Sequence, residues 1–168
     1  MSEVVLEPAL PTEADARRAM AWRNDPHTRQ MSFHREPRLW DDFWADYLRW
    51  MSEAPGPVFA KSEGLRVGFL RFASMEPLEG ATGRWVAVSI NIAPEARGRG
   101  IGLAALAAAE PLLSRAGVSG VYAEVREENE ASLRMFEAAG YVSLGRAVKA
   151  VDTGEAAAIV RYLRSLDG

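Results

Sequence analysis

At 168 residues, 48% of them hydrophobic, the chain has the length of one compact domain and enough apolar material for a full core, so residues 1–168 are expected to form a single domain. A formal net charge of −3 lacks the basic excess by which nucleic-acid binders displace counterions, and no nucleic-acid partner is expected. Cysteine is absent, which excludes disulfides, thiolate metal sites and a cysteine nucleophile; His27 and His34 are too few for a metal cluster, so no metal is expected either.

Residues 1–15 show no basic segment leading into an apolar block, and no later run approaches the apolar length of a bilayer crossing. The expectation is a cytoplasmic protein without membrane contact. Val4, Val5 and Leu6 suggest a first strand. Thr12 then offers an N-cap, with Glu13 and Asp15 in the first turn where the helix dipole favours negative charge, and a helix is expected over residues 11–22. Asn24, Asp25 and Pro26 end it, leaving residues 24–35 as a loop.

From Pro37 the apolar residues Trp40, Phe43, Trp44, Tyr47, Leu48 and Met51 recur at spacings of three and four, which puts them on one helical face. This aromatic helix would also suit a homodimer contact. Strands are expected at residues 58–61 and 65–72, a loop at 75–83 and a strand at 85–92. A helix over 100–116 follows, which Pro111 should kink or shorten by deleting one backbone donor. A strand at 118–125, a helix at 130–139 closed by Gly140, and strands at 141–151 and 156–163 complete the chain. Strand, helix and strand over 85–125 require a crossover, so the sheet is at least partly parallel in a layered α/β or α+β domain.

The strand-to-helix junction over residues 92–102 is the most informative stretch. Gly98, Gly100 and Gly102 let the backbone turn tightly and approach a ligand, while the first free N–H groups of the helix favour an anion. Arg97 and Arg99 add positive charge, and a diphosphate is the natural guest. A triphosphate loop is excluded because no Gly-Lys-Ser/Thr ending is present. A dinucleotide fold is excluded because no acidic residue ends the next strand; Glu124 precedes Val125 and Arg126.

Arg97-x-x-Gly100-x-Gly102, after a β-run ending at Pro94, resembles the acyl-CoA signature of the GNAT superfamily of N-acetyltransferases. Residues 123–141, with Glu124-Val125-Arg126, Asn129 and the Gly140-Tyr141 exit, resemble the next strand, asparagine turn and helix of that family. The resemblance implies a mixed, partly parallel sheet of about seven strands with helices on both faces. It also implies acetyl-CoA as cosubstrate, with Ile90, Asn91 and Ile92 pairing through their backbones to the pantetheine arm. Arg97, Gly98, Arg99, Gly100, Ile101, Gly102 and Leu103 would hold the pyrophosphate, and Asn129, Ser132 and Phe136 the other end of the arm.

Amide formation needs a neutral amine, a base for its proton, stabilisation of the oxyanion and an acid for the thiolate. By resemblance Glu124 is the candidate base. Where the family often places a tyrosine acid, this chain has Phe136, which leaves Ser132 or a water as donor, or an unassisted thiolate. A thiol with a reference pKa of about 8.5 is a tolerable leaving group near neutral pH.

The polar segment 22–33, together with residues 89–92 and 132–136, resembles members that acetylate nucleotide-linked deoxyamino sugars. Arg23 and Arg29 would then pair with the nucleotide diphosphate, Asn24 would add a polar contact, and Trp22, Phe33 or Trp40 would stack on a base or sugar. Alternatives are an acetyltransferase for protein N-terminal or antibiotic amines, and a non-catalytic acyl-CoA-binding module.

Overall fold

The computed structural model describes residues 3–166. In chain order the elements are β1 (Val4–Pro8), α1 (Glu13–Arg23), α2 (Pro26–Gln30), α3 (Trp40–Trp50), β2 (Val58–Ser62), β3 (Leu65–Met75), β4 (Arg84–Ile92), α4 (Ile101–Arg115), β5 (Val118–Arg126), α5 (Glu130–Ala138), β6 (Val142–Ala150) and β7 (Ala156–Ser165). A short 3-10 turn, Pro94–Ala96, leads from β4 towards α4.

The seven strands form one sheet in the order β1-β2-β3-β4-β5-β7-β6. All neighbours are antiparallel except β4 and β5, which run parallel. Parallel strands cannot be joined by a hairpin, and α4 makes the crossover. This is the mixed, partly parallel layered sheet expected from the sequence.

Strand periodicity builds a core on each face. Val58, Ala60, Leu70 and Phe72 point to one side, where Ala105, Leu106, Ala109 and Leu113 of α4 and Phe136 of α5 cover them. The alternate residues Phe59 and Phe69 point to the other side, against Ala16, Ala19 and Trp22 of α1 and Phe43 and Tyr47 of α3. Helices thus close both faces. Of the α3 aromatics, Phe43 (1% exposed) and Tyr47 (0%) are committed to the core, while Trp40, Trp44 and Trp50 are half-buried.

Close approach also fixes the paired end of β4 and β5. A Cβ on Gly120 would lie 2.5 Å from the Trp85 ring, so glycine lets that indole lie across the neighbouring strand. Trp85 Nε1 donates to Thr82 O at 3.0 Å, which satisfies its polar edge.

Three expectations need correction. Residues 24–35 are not all loop, because Asp25 caps a helical turn, α2, and accepts from Thr28 N at 3.2 Å. Pro26 occupies the first turn, where a missing N–H costs nothing, so it starts α2 as well as ending α1. Helix α4 is not shortened by Pro111: it runs to Arg115. Pro111 and Ala107, whose carbonyl loses its usual donor, are both exposed, so water can take that donor's place. Finally, β3 extends to Met75, into the stretch expected to be loop.

Candidate functional site

Strands β4 and β5 stay together only from Arg84↔Val118 to Ala87↔Tyr122. Beyond that, β4 continues to pair with β3 as far as Ile92, and β5 with β7 as far as Arg126. The two strands therefore part, and a cleft of about 900 Å³ opens between them. Its walls include Val88, Ser89, Ile90, Asn91 and Ile92 on one side and Glu124, Val125 and Arg126 on the other. Each strand here has lost one hydrogen-bonding neighbour, so backbone donors and acceptors face the gap as they do at a sheet edge. An extended polar chain can pair there.

The glycine-rich turn closes one end of this cleft. Gly98 and Gly100 have φ of 77° and 75°, and a Cβ on either would meet nothing within 4 Å. Space is therefore not the constraint there; the left-handed backbone is. Gly100 is the N-cap of α4, and it offers no side chain to the first-turn amides. Those N–H groups, at the positive end of a 15-residue helix, are disposed to take an anion.

Gly102 serves differently. Any Cβ there would run into Met135 Sδ, so this glycine lets α4 and α5 approach closely. Gly98, Gly100, Ile101, Gly102 and Leu103 all line the cleft. Arg97 lines it too, but its guanidinium is engaged elsewhere: Nη2 donates to Asp25 Oδ2 at 2.6 Å and to Thr28 Oγ1 at 3.0 Å. Arg99 is exposed and is not part of the wall.

Glu124, Asn129, Ser132 and Phe136 also reach the cleft. Asn129 caps α5, accepting from Ser132 N at 3.3 Å, as its place before that helix requires. Phe136 is buried, with its ring 5.0 Å from that of Tyr141 and 5.9 Å from that of Tyr162. Glu124 accepts from Tyr122 Oη at 2.7 Å and from Lys149 Nζ, while Arg161 Nε donates to Tyr122 Oη at 2.9 Å. Burial pushes the Glu124 carboxyl up, but the Lys149 and Tyr122 hydrogen bonds and the nearby Arg161 charge outweigh it and hold its pKa below the ordinary value. Glu124 is an ionised, paired carboxylate.

The expected acceptor residues separate. Arg23 and Phe33 line the cleft; Trp22, Asn24 and Arg29 do not. Trp22 is 7% exposed and packs edge-on against Phe59, so the core takes it. Asn24 is turned to Arg38, donating to its carbonyl at 3.0 Å and accepting from its amide at 2.7 Å. Arg29 donates to Asn24 O and Arg35 O. Trp40 is stacked on Trp44 with Arg17 over its face, away from the cleft wall.

Sequence reasoning missed Arg126, Lys149 and the role of residues 32–35. Four successive carbonyls of that segment accept hydrogen bonds: Ser32 O from Arg126, Phe33 O from Asp152 N, His34 O from Arg23 and Arg35 O from Arg29. Arg126 could have been found, since the period of a strand places it on the same face as Glu124. Lys149 could not, because its strand reaches Glu124 only through the intervening β7. Among the described residues no group of three His, Asp or Glu side chains is placed to hold a metal ion, and no helix is long and apolar enough to cross a membrane.

A family model matches most of the chain, including the splayed strands' residues and the glycine turn. Residues 17–141 fit the acetyltransferase (GNAT) family, and the chain belongs to it. It is an acetyl-CoA-dependent acyltransferase. No curated protein matches its sequence. Solved structures share the fold. A candidate phosphinothricin N-acetyltransferase superposes with TM-score 0.82 at 22% identity, covering 99% of this chain and 100% of its own. A candidate acetyltransferase from Salmonella typhimurium with acetyl-CoA gives 0.78 at 18%, covering 98% and 94%. The AAC(6')-Ib structure with ribostamycin and coenzyme A gives 0.74 at 20%, covering 97% and 93%.

Proposed function

We propose that the chain, as one domain, transfers the acetyl group of acetyl-CoA to the primary amine of a small polar acceptor by direct attack in a ternary complex. The parting of β4 from β5 beside the glycine turn carries this reading, because one continuous cleft runs from the first amides of α4 to Glu124. The pantetheine arm pairs with Ile90, Asn91 and Ile92, and the pyrophosphate sits on the amides of Gly98 to Leu103. Arg97 shapes that turn through Asp25 rather than by direct contact.

In the reaction the amine lone pair attacks the thioester carbonyl carbon, the C–S bond breaks, and coenzyme A leaves as a thiolate. Glu124, ionised and paired with Lys149, receives the amine proton directly or through a water. Ser132, the hydroxyl nearest in sequence to Phe136 on the same helix, donates a hydrogen bond to the leaving thiolate, which takes up the amine's proton from Glu124 through water and so restores the carboxylate.

For the acceptor, we favour the amino group of a nucleotide-linked deoxyamino sugar. The support is chemical: Arg23 stands in the cleft wall with no carboxylate partner among the described residues, ready for an acidic ligand. A thiol-release assay with acetyl-CoA tests this against amino-sugar nucleotides, aminoglycosides and short peptides. Turnover of the sugar nucleotides is expected, and activity confined to peptides would overturn the choice of acceptor.

A further inference from the structure

Arg23 and Arg126 both line the cleft, and each carries one buried guanidinium nitrogen without a partner; Arg35, outside the cleft wall, carries a third. Arg126 is 7% exposed, and its Nε makes no hydrogen bond. Its other nitrogens are engaged, Nη2 with Glu128 Oε1 at 2.6 Å and Nη1 donating to Ser32 O at 3.3 Å. Arg23 Nη2 donates to His34 O at 3.0 Å, while its Nη1 is buried and unpaired. A buried N–H without a partner is costly, so an unpaired pair in one concave wall points to a ligand.

The charges around Arg23 sharpen the point. Burial weakens its hold on its proton, and the cations of Arg38 and Arg29 add to the effect, with only Asp152 opposing it. Asp152 is itself engaged with the amides of Arg35 and Glu36 and with His34. An anion placed beside Arg23 would therefore relieve both the missing hydrogen bond and the mutual repulsion. Both arginines brace neighbouring carbonyls of one segment, Ser32 O and His34 O, which brings them to the same wall.

We propose that Arg23 and Arg126 form an oxyanion subsite for the acceptor, so that the substrate is an amine carrying a phosphate, phosphinate or carboxylate group. This rests on the acetyltransferase reading above. Arg126 stands two positions beyond Glu124 on the same face of β5, with Cα atoms about 7 Å apart. The amine then lies towards Glu124 and the anion farther along the strand. Each arginine has one unpaired nitrogen, so the two side chains together offer an oxyanion two charge-assisted N–H donors.

The test uses the whole protein saturated with coenzyme A, so that the pyrophosphate turn is already filled. Inorganic pyrophosphate is titrated in by calorimetry, and matched amines are compared as acceptors: an amino-sugar nucleotide against the free amino sugar, and an acidic amino acid against its distal amide. The subsite predicts heat with pyrophosphate, competition of pyrophosphate against acceptor but not against acetyl-CoA, and at least tenfold higher kcat/KM for the anionic member of one pair. The sugar pair winning identifies a diphosphate, and the amino-acid pair identifies a carboxylate. Arg23→Met is expected to raise acceptor KM at least fivefold while leaving acetyl-CoA KM within twofold. Arg126→Gln is expected to raise acceptor KM at least fivefold as well, and Arg126→Lys, which keeps the buried charge but not the unpaired Nε–H, should do the same if Arg126→Gln fails to fold. Coenzyme A binding with no pyrophosphate heat and equal use of charged and neutral amines would overturn the subsite alone. Failure to bind coenzyme A would overturn the functional reading, and the subsite with it.

Discussion

Arg97 Nη2 donates to Asp25 Oδ2 at 2.6 Å, so the first residue of the acyl-CoA signature is tied to the N-cap of α2, 72 positions earlier in the chain. The bond joins the cofactor turn to the segment that walls the acceptor side. Asp25→Ala removes both the ion pair and the cap, and is expected to cost about 1–2 kcal/mol of stability in thermal or urea melts. Asp25→Asn keeps a capping oxygen and should lose less. Burial pushes the Asp25 carboxyl up, but hydrogen bonds from Arg97 and Thr28 outweigh it and leave its pKa lowered. Because the folded-state pKa is depressed, the tether's contribution is complete above the ordinary aspartate range and is lost as pH falls through the lowered value.

Gly98 and Gly100 test the turn separately from its surroundings. Both are left-handed and both have open space where a Cβ would stand, so Gly100→Ala costs about 1–2 kcal/mol in backbone strain without a clash. The expected result is at least a tenfold rise in acetyl-CoA KM. Gly102→Ala should instead disturb the contact with Met135, and lower stability as well as affinity.

Glu124 is held ionised by Lys149, which sets the pH behaviour. Between about pH 6 and 8 the profile of kcat/KM should track deprotonation of the acceptor amine, because the carboxylate has already lost its proton. Glu124→Gln is expected to lower kcat about a hundredfold. Lys149→Met leaves burial less opposed, so the Glu124 pKa rises and, below the pH range set by the amine, a second proton uptake steepens the acid limb. An acid limb of unchanged slope at low pH in Lys149→Met would remove Glu124 from the proton path.

Phe136 and Ser132 divide structure from chemistry. Phe136→Ala should cost about 3–5 kcal/mol, since the ring is buried between Tyr141 and Tyr162. Ser132→Ala is expected to leave the fold intact and to reduce kcat about tenfold in the thiol-release assay.

Much of this site was legible because local rules and function coincide at it. Alternation in β4 and β5, three clustered glycines and an asparagine before a helix are each sequence signals, and the structure brings them to one cleft. The acceptor side was less legible. Trp22 and Arg29 share the polarity pattern of binding residues, yet core packing takes one and backbone carbonyls the other. Asp25-Pro26 reads equally as a helix end and a helix start, and here it is both. Lys149 reaches Glu124 from β6 by tertiary pairing alone, which no local pattern encodes.

The most direct measurement is a calorimetric titration of the wild-type protein and Gly100→Ala with coenzyme A. Saturable one-to-one binding by the wild type, weakened at least tenfold by the alanine, is the expected result. No heat at millimolar coenzyme A, or equal affinity in the two proteins, would contradict a pyrophosphate held on the amides at the start of α4.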